Sequence, residues 1–315
     1  MTTRRSTTRF GAAIATSILT GALALTLAGC GQPGEAKSGA TPSVAAASGS
    51  EAIQNKFGEY TEAFNKLIDD HWGVSKNYES YVKANIPGAS ASGNVYFSEN
   101  ISTLERALDS LKKGRALNGG SQSREADAAV DKLLVQGNAL LALWKDLAPY
   151  YTSKAYRDDN LAKGKAAHAA LIAAYEGTLS SIDEFDVALT KHLRTRREAE
   201  IAAFKKAGKT DAYNVYNAMY QADLLSSAVI EKNTAEAERV FPLLVAANAE
   251  LHKTEAATAT GAPNKVEYDL ISGYLDRMIG DYRDLKQSNS DSDRKDIVDG
   301  YNRAINQLND VEFER

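Results

Sequence analysis

Ile53, Phe57, Tyr60, Phe64, Leu67, His71, Val74, Tyr78 and Tyr81 follow one another at alternating steps of four and three residues. That spacing keeps one face of an α-helix apolar and cannot be satisfied by a strand, whose faces alternate every residue. Ser50 is placed to cap such a helix, and Pro87 with the run "PGASASGN" closes it. A second seam runs through Ile101, Leu104, Leu108 and Leu111. A third runs through Ala126, Val130, Leu133, Gly137, Leu140, Trp144 and Leu147, again at steps of four and three. Steps averaging near 3.5 residues favour long helices packed almost in line with one another.

The same reading continues to the C-terminus. Residues 159–207 predict one long helix that buries Ile172, Tyr175, Leu179, Ile182, Leu189 and Leu193, with Gly177 as a possible break. Thr210 is placed to cap the next helix, which runs to about Asn233. Pro242 is expected to kink or restart the one after it, and two last helices are expected near 265–286 and 292–312. No strand-period segment and no phosphate-binding glycine loop occurs. The expected fold is all-α, an elongated antiparallel bundle of long helices over residues 51–315, with a soft boundary near 209.

The amino terminus is of another kind. Arg4, Arg5 and Arg9 precede eighteen uncharged residues, "GAAIATSILTGALALTLA", which is the layout of an export signal. The run ends in Leu27-Ala28-Gly29-Cys30, which resembles the lipobox of bacterial lipoproteins. That resemblance implies cleavage after Gly29 and lipidation of Cys30, with membrane attachment through acyl chains. Residues 1–29 are thus expected to be a signal peptide. Residues 30–50, rich in Gly, Ser, Ala and Pro, are expected to be a flexible tether with an r.m.s. span of roughly 25 Å. The residues after the cysteine, Gly31 and Gln32, lack the aspartate that retains lipoproteins at the inner membrane of enteric-type bacteria, so the outer membrane, facing the periplasm, is expected in a Gram-negative host.

Removing 1–29 takes away three arginines and no acid, which moves the net charge from −4 to −7 and speaks against nucleic acid as a partner. Cys30 is the only cysteine, so an intramolecular disulfide, a thiolate metal site and, once lipidated, a catalytic thiol are excluded. The four histidines, His71, His168, His192 and His252, form no HExxH pair, and no cofactor or metal is expected. His252 and Glu255 make an isolated HxxE; the GxHxxE of imelysin-like lipoproteins has glycine where this chain has Glu250. "NSDSDRKDIVDG", residues 289–300, begins like a calcium loop, but Arg294 and Gly300 stand where the loop needs glycine and glutamate. A capped helix start explains that run better.

A basic group, Lys191, Arg194, Arg196, Arg197, Lys205, Lys206 and Lys209, reads as solvated charge near a helix end. The run "YYTSKAYRDDNLAKG" at 150–164 reads as a corner between two helices: Pro149 interrupts the third helix, and Asp158 and Asp159 supply acids to the start of the next. Its tyrosines can bury their rings there. Tyr150, Tyr151, Lys154, Tyr156, Arg157, Asp158, Asp159 and Lys163 also make the candidate recognition surface, because aromatics mixed with charge are what a binding patch uses.

That run, together with "KNYESYV" at 76–82 and "VDGYNRAINQLN" at 298–309, resembles the YiiG-like bacterial lipoproteins, helical envelope proteins of unknown function. The resemblance implies an exported, lipid-anchored, all-α protein and transfers no catalytic residue. A non-enzymatic envelope lipoprotein that binds a protein partner or an envelope polymer is the expected function. The alternative is a hydrolase or metal-handling protein that uses carboxylates such as Asp158 and Asp159 with a histidine brought close by folding.

Overall fold

The computed structural model describes residues 44–313. Among them are nine α-helices and no strand: α1 Val44–Ile68, α2 Val74–Ala84, α3 Ile101–Ala116, α4 Arg124–Thr152, α5 Ala162–Lys206, α6 Thr210–Ile230, α7 Thr234–Ala257, α8 Lys265–Ser288 and α9 Asp291–Leu308. The described residues fall into two compact units that divide between Arg194 and Thr195, inside α5. The boundary expected near 209 falls at the break between α5 and α6, at 207–209, and not at the division of the two units. The signal peptide, Cys30 and the first part of the expected tether lie outside the described residues. Its last part, 44–50, is helical, so the first helix begins earlier than a cap at Ser50 requires.

In the unit of residues 44–194, α1 packs on α3 and α3 on α4, while α5 completes the core. All three seams are buried: Phe57, Tyr60 and Leu67 on α1, Leu104, Leu108 and Leu111 on α3, and Val130, Leu133, Leu140, Trp144 and Leu147 on α4. The first seam is not one helix, however. Asp69 Oδ1 accepts the backbone N–H groups of His71 (2.9 Å) and Trp72 (2.8 Å), which ends α1. Gly73 then donates to the Asp69 carbonyl (2.9 Å), and a Cβ on Gly73 would stand 2.6 Å from that oxygen. The apolar face resumes at Val74 and Tyr81, but His71 is turned out to solvent.

Pro149 does not interrupt α4, which runs to Thr152, and Pro242 does not restart α7. The carbonyls deprived of a partner belong to Lys145 and Glu238, four residues earlier in each case. Both residues are exposed, so water can satisfy the orphaned oxygens. Gly177 likewise leaves α5 unbroken.

In the unit of residues 195–313, α6 packs on α7, α7 on α8, α8 on α9, and α9 closes back on α6. This four-helix ring buries Val215, Met219, Leu225, Val240, Leu244, Ile271, Leu275, Met278, Ile297 and Tyr301. Lys209 and not Thr210 occupies the cap position of α6. The 289–300 run is a helix start as expected: Ser290 accepts the Asp293 N–H at 3.0 Å, and Gly300 is buried within α9.

Leu140 is fully buried and Val135, on the same helix, is 67% exposed. Leu140→Ala is expected to cost about 2–5 kcal/mol through the cavity it leaves. Val135→Ala should stay within about 0.5 kcal/mol. Chemical denaturation of the two variants checks the assignment of that face to the core.

Candidate functional site

The corner at 150–163 is built by the end of α4, a 3-10 turn at Ala155–Arg157 and the start of α5. Three residues there, Lys154 (φ 60°), Asn160 (φ 53°) and Leu161 (φ 64°), are left-handed, and none is glycine. A bulky residue in that region is unfavourable by about 1 kcal/mol or more. Packing holds Leu161 in place: its side chain is fully buried and its N–H donates to the Tyr156 carbonyl at 2.9 Å. Asp159, three residues before α5, caps its first turn with its side chain. Its Oδ2 accepts the Lys163 N–H at 3.0 Å while Oδ1 accepts the Tyr150 hydroxyl at 2.8 Å. The Lys163 N–H, the Tyr150 hydroxyl and the N–H groups of Ala162 and Leu161 outweigh desolvation and hold its carboxyl below the usual carboxylate range.

The tyrosines of the corner are core residues. Tyr150, Tyr151 and Tyr156 are each less than a tenth exposed, and the Tyr151 ring stacks on Phe97 at 4.8 Å. Tyr156 Oη accepts the Val95 N–H and donates to the Gly93 carbonyl, both at 3.3 Å, which ties the corner to the segment before α3. Burial pushes the Tyr150 phenol up to about 12 and raises that of Tyr151 further, so both stay neutral at physiological pH. Lys154, Arg157, Asp158, Asp159 and Lys163 are exposed. Arg157 reaches Asn94 (3.4 Å) and Lys163 pairs with Asp146 (2.8 Å). A recognition surface that uses the rings is therefore corrected: the rings are packed inward, and only the charged rim faces solvent. The sequence did not reveal Phe97, Val95 and Gly93 as partners of this corner, because they come from a loop without periodicity.

Several of the expected candidates are held by packing contacts. His168 Nδ1 is engaged by the Tyr81 hydroxyl at 2.9 Å, Asp159 by Tyr150 and the α5 backbone, and His192 stacks on Phe57. Among the described residues no group of three His, Cys, Asp or Glu side chains is arranged to hold a metal ion, and no helix is long and apolar enough to cross a membrane. Of the basic group, Lys191 is paired with Glu125 at 2.6 Å.

Sequence reasoning missed one buried charge. Lys56 is wholly buried beside Phe57, with its ammonium 2.8 Å from Asp127 Oδ1 and 2.8 Å from the Leu117 carbonyl. Asp127 also accepts from Tyr60 Oη (2.5 Å) and Ser123 Oγ (2.9 Å). Burial works against the Asp127 charge, but the donors Lys56, Tyr60 and Ser123 outweigh it and hold the carboxyl below its ordinary value. Position 56 adjoins the apolar seam and carries no signal of its own; its partners lie on α4 and at the end of α3.

The Tyr151 hydroxyl is buried without a hydrogen-bond partner, so Tyr151→Phe should leave stability unchanged or higher. Tyr156→Ala should cost about 3–5 kcal/mol, whereas Arg157→Ala should have little effect; denaturant melts of the three variants decide whether the corner is a joint. Because the Asp127 carboxyl is depressed on folding, its contribution is complete above the unfolded value near 3.8 and is lost as pH falls through the folded one. Asp127→Asn should therefore flatten the acid limb of the melting temperature against pH.

A family model described as "Protein of unknown function (DUF3829)" matches residues 51–268. No curated protein and no solved structure matches the chain. The matched span runs from α1 into the first turn of α8 and takes in both the tyrosine corner and the Lys56–Asp127 pair. It covers more than two thirds of the sequence, and the chain belongs to the DUF3829 family.

Proposed function

We propose that this protein is a lipid-anchored, non-enzymatic component of a bacterial cell envelope whose helical units bind a protein partner or an envelope polymer. The observation that carries the reading is Leu27-Ala28-Gly29-Cys30 at the end of an uncharged run preceded by three arginines. A signal of that form is cut before the cysteine, and the acyl chains on Cys30 then hold the chain at a membrane. The finer resemblance to YiiG-like lipoproteins belongs to the same proposal. So does placement at the outer membrane, facing the periplasm, in a Gram-negative host.

Binding without catalysis is supported by how the candidate groups are used. The carboxylates of Asp127 and Asp159 accept hydrogen bonds from neighbouring tyrosines, and Tyr81 occupies one nitrogen of His168. Groups committed to such contacts serve packing. Within this reading the surface a partner meets at the corner is the charged rim of Lys154, Arg157 and Asp158.

Cys30→Ser is the deciding variant. The wild-type chain should fractionate with membranes and yield an N-terminal peptide that begins at a lipidated Cys30. The variant should be released or keep residues 1–29. A wild-type mature chain without lipid, found in the soluble fraction, would overturn the proposal. Crosslinked pull-downs from membranes with wild-type protein and an Arg157→Ala, Lys154→Ala double variant then test the rim.

A further inference from the structure

The isolated HxxE of the sequence becomes a junction between two helices in the unit of residues 195–313. His252 and Glu255 sit on α7, and the packing of α7 on α8 brings Asp276 against the same imidazole. Both ring nitrogens are engaged: Nδ1 lies 3.2 Å from Glu255 Oε2, and Nε2 lies 2.9 Å from Asp276 Oδ2. Lys265, the first residue of α8, donates to Glu255 Oε1 at 2.8 Å, and Ser272 Oγ lies 3.4 Å from Glu255 Oε2. Asn248, buried one turn earlier on α7, donates to Asp276 Oδ1 at 2.8 Å. The remaining charges on this part of α7, Glu250 and Lys253, pair with each other at 2.6 Å. From α6 the neighbouring group is the neutral Asn214, bonded to Thr254 at 2.8 Å, and Asp211 stands near Tyr268 of α8.

This arrangement does not match a nucleophile-activating triad, in which one ring nitrogen faces a carboxylate and the other a hydroxyl. Here both nitrogens face carboxylates, and the Ser272 hydroxyl turns to Glu255 and to the Asp269 carbonyl. A neutral imidazole has one N–H and one lone pair, so it can donate to only one of the two acids and sets lone pair against lone pair at the other. The imidazolium alone donates to both. Its charge, with that of Lys265, also balances Glu255 and Asp276; the neutral ring leaves two carboxylates facing a single cation.

We propose that His252 is a proton-operated clasp between α7 and α8, closed when the ring is protonated and loosened when it is neutral. Burial works against the charged ring, but the hydrogen bonds to Glu255 and Asp276 outweigh it and raise the pKa above the ordinary value of 6.5. A group raised on folding contributes fully below its unfolded value and loses that contribution as pH rises through the folded one. The clasp therefore holds below the ordinary value of 6.5 and relaxes as pH rises through the raised value of the folded chain.

The test is an NMR titration of the histidine rings in the full chain, with the His252 signal assigned by its loss in His252→Gln. Its midpoint is expected above 6.5 and should fall when Asp276→Asn removes the acceptor on α8. Thermal midpoints between about pH 5.5 and about pH 9 supply a second readout. The wild type should lose more melting temperature over that range than either variant, and the three curves should converge at the alkaline end. A His252 midpoint at or below 6.5, or equal pH slopes in all three proteins, would overturn the clasp. Should His252→Gln fail to fold, Asp276→Asn, which keeps the ring and changes an exposed side chain, carries the melting comparison by itself.

Discussion

A tyrosine with its ring in the core and its hydroxyl on a polar group elsewhere in the chain recurs in both units. Tyr60 meets Asp127, Tyr81 meets His168, Tyr150 meets Asp159 and Tyr301 meets Asp223. A leucine seam lets two helices slide by a turn at modest cost, since one apolar contact replaces another. A buried phenol does not, because a slip leaves its O–H and the acceptor unpaired in a medium where each costs about 1–3 kcal/mol. These bonds fix register in a fold with no disulfide available to do so. They also account for a chain with fifteen tyrosines and eight phenylalanines: in narrow helical layers a ring that starts in the core ends within reach of the edge, where a hydroxyl can be satisfied.

What the sequence made legible was whatever periodicity controls. The seams through Leu104 and Leu111, and through Val130, Leu133 and Leu140, are buried where their spacing puts them, because burial of a stripe is the largest favourable term a helix has. Helix ends were less legible. Asp69 ends α1 by capturing two N–H groups, an event of one side chain that leaves the apolar spacing intact on both sides. Pro149 and Pro242 misled in the opposite direction, since the cost of a proline depends on whether water reaches the carbonyl four residues back, and spacing says nothing of that.

The same division runs through the polar clusters. The corner at 150–163 could be located from its acids and its proline, yet the inward turn of Tyr156 depends on Gly93 and Val95, some sixty residues away in a loop. Lys56 could not be found at all. A lysine next to a seam is normally a stem lying on the apolar surface with its head in water, and only the folded chain sets the Leu117 carbonyl and the Asp127 carboxylate around that head. His252 with Glu255 was visible as a spacing, but its meaning lies with Asp276 on the next helix.

Lys56 and His252 illustrate two solutions to one problem. Each is a cation between acceptors on two elements, but Lys56 is sealed from water while His252 keeps 41% of its side chain exposed. The Lys56 ammonium cannot exchange its partners for water without opening the core, so removing Asp127 leaves a buried charge and is strongly unfavourable. The exposed ring can release its proton to solvent at little structural cost. Raised above its ordinary value by its two acids, it makes one helix contact conditional on a proton that solvent can take, whereas the contact at Lys56 yields only to acid that protonates Asp127. Under the proposed anchoring at Cys30 that difference follows the chain: α1, the first described helix after Cys30, carries the buried cation, and the exposed one lies far along the sequence on α7.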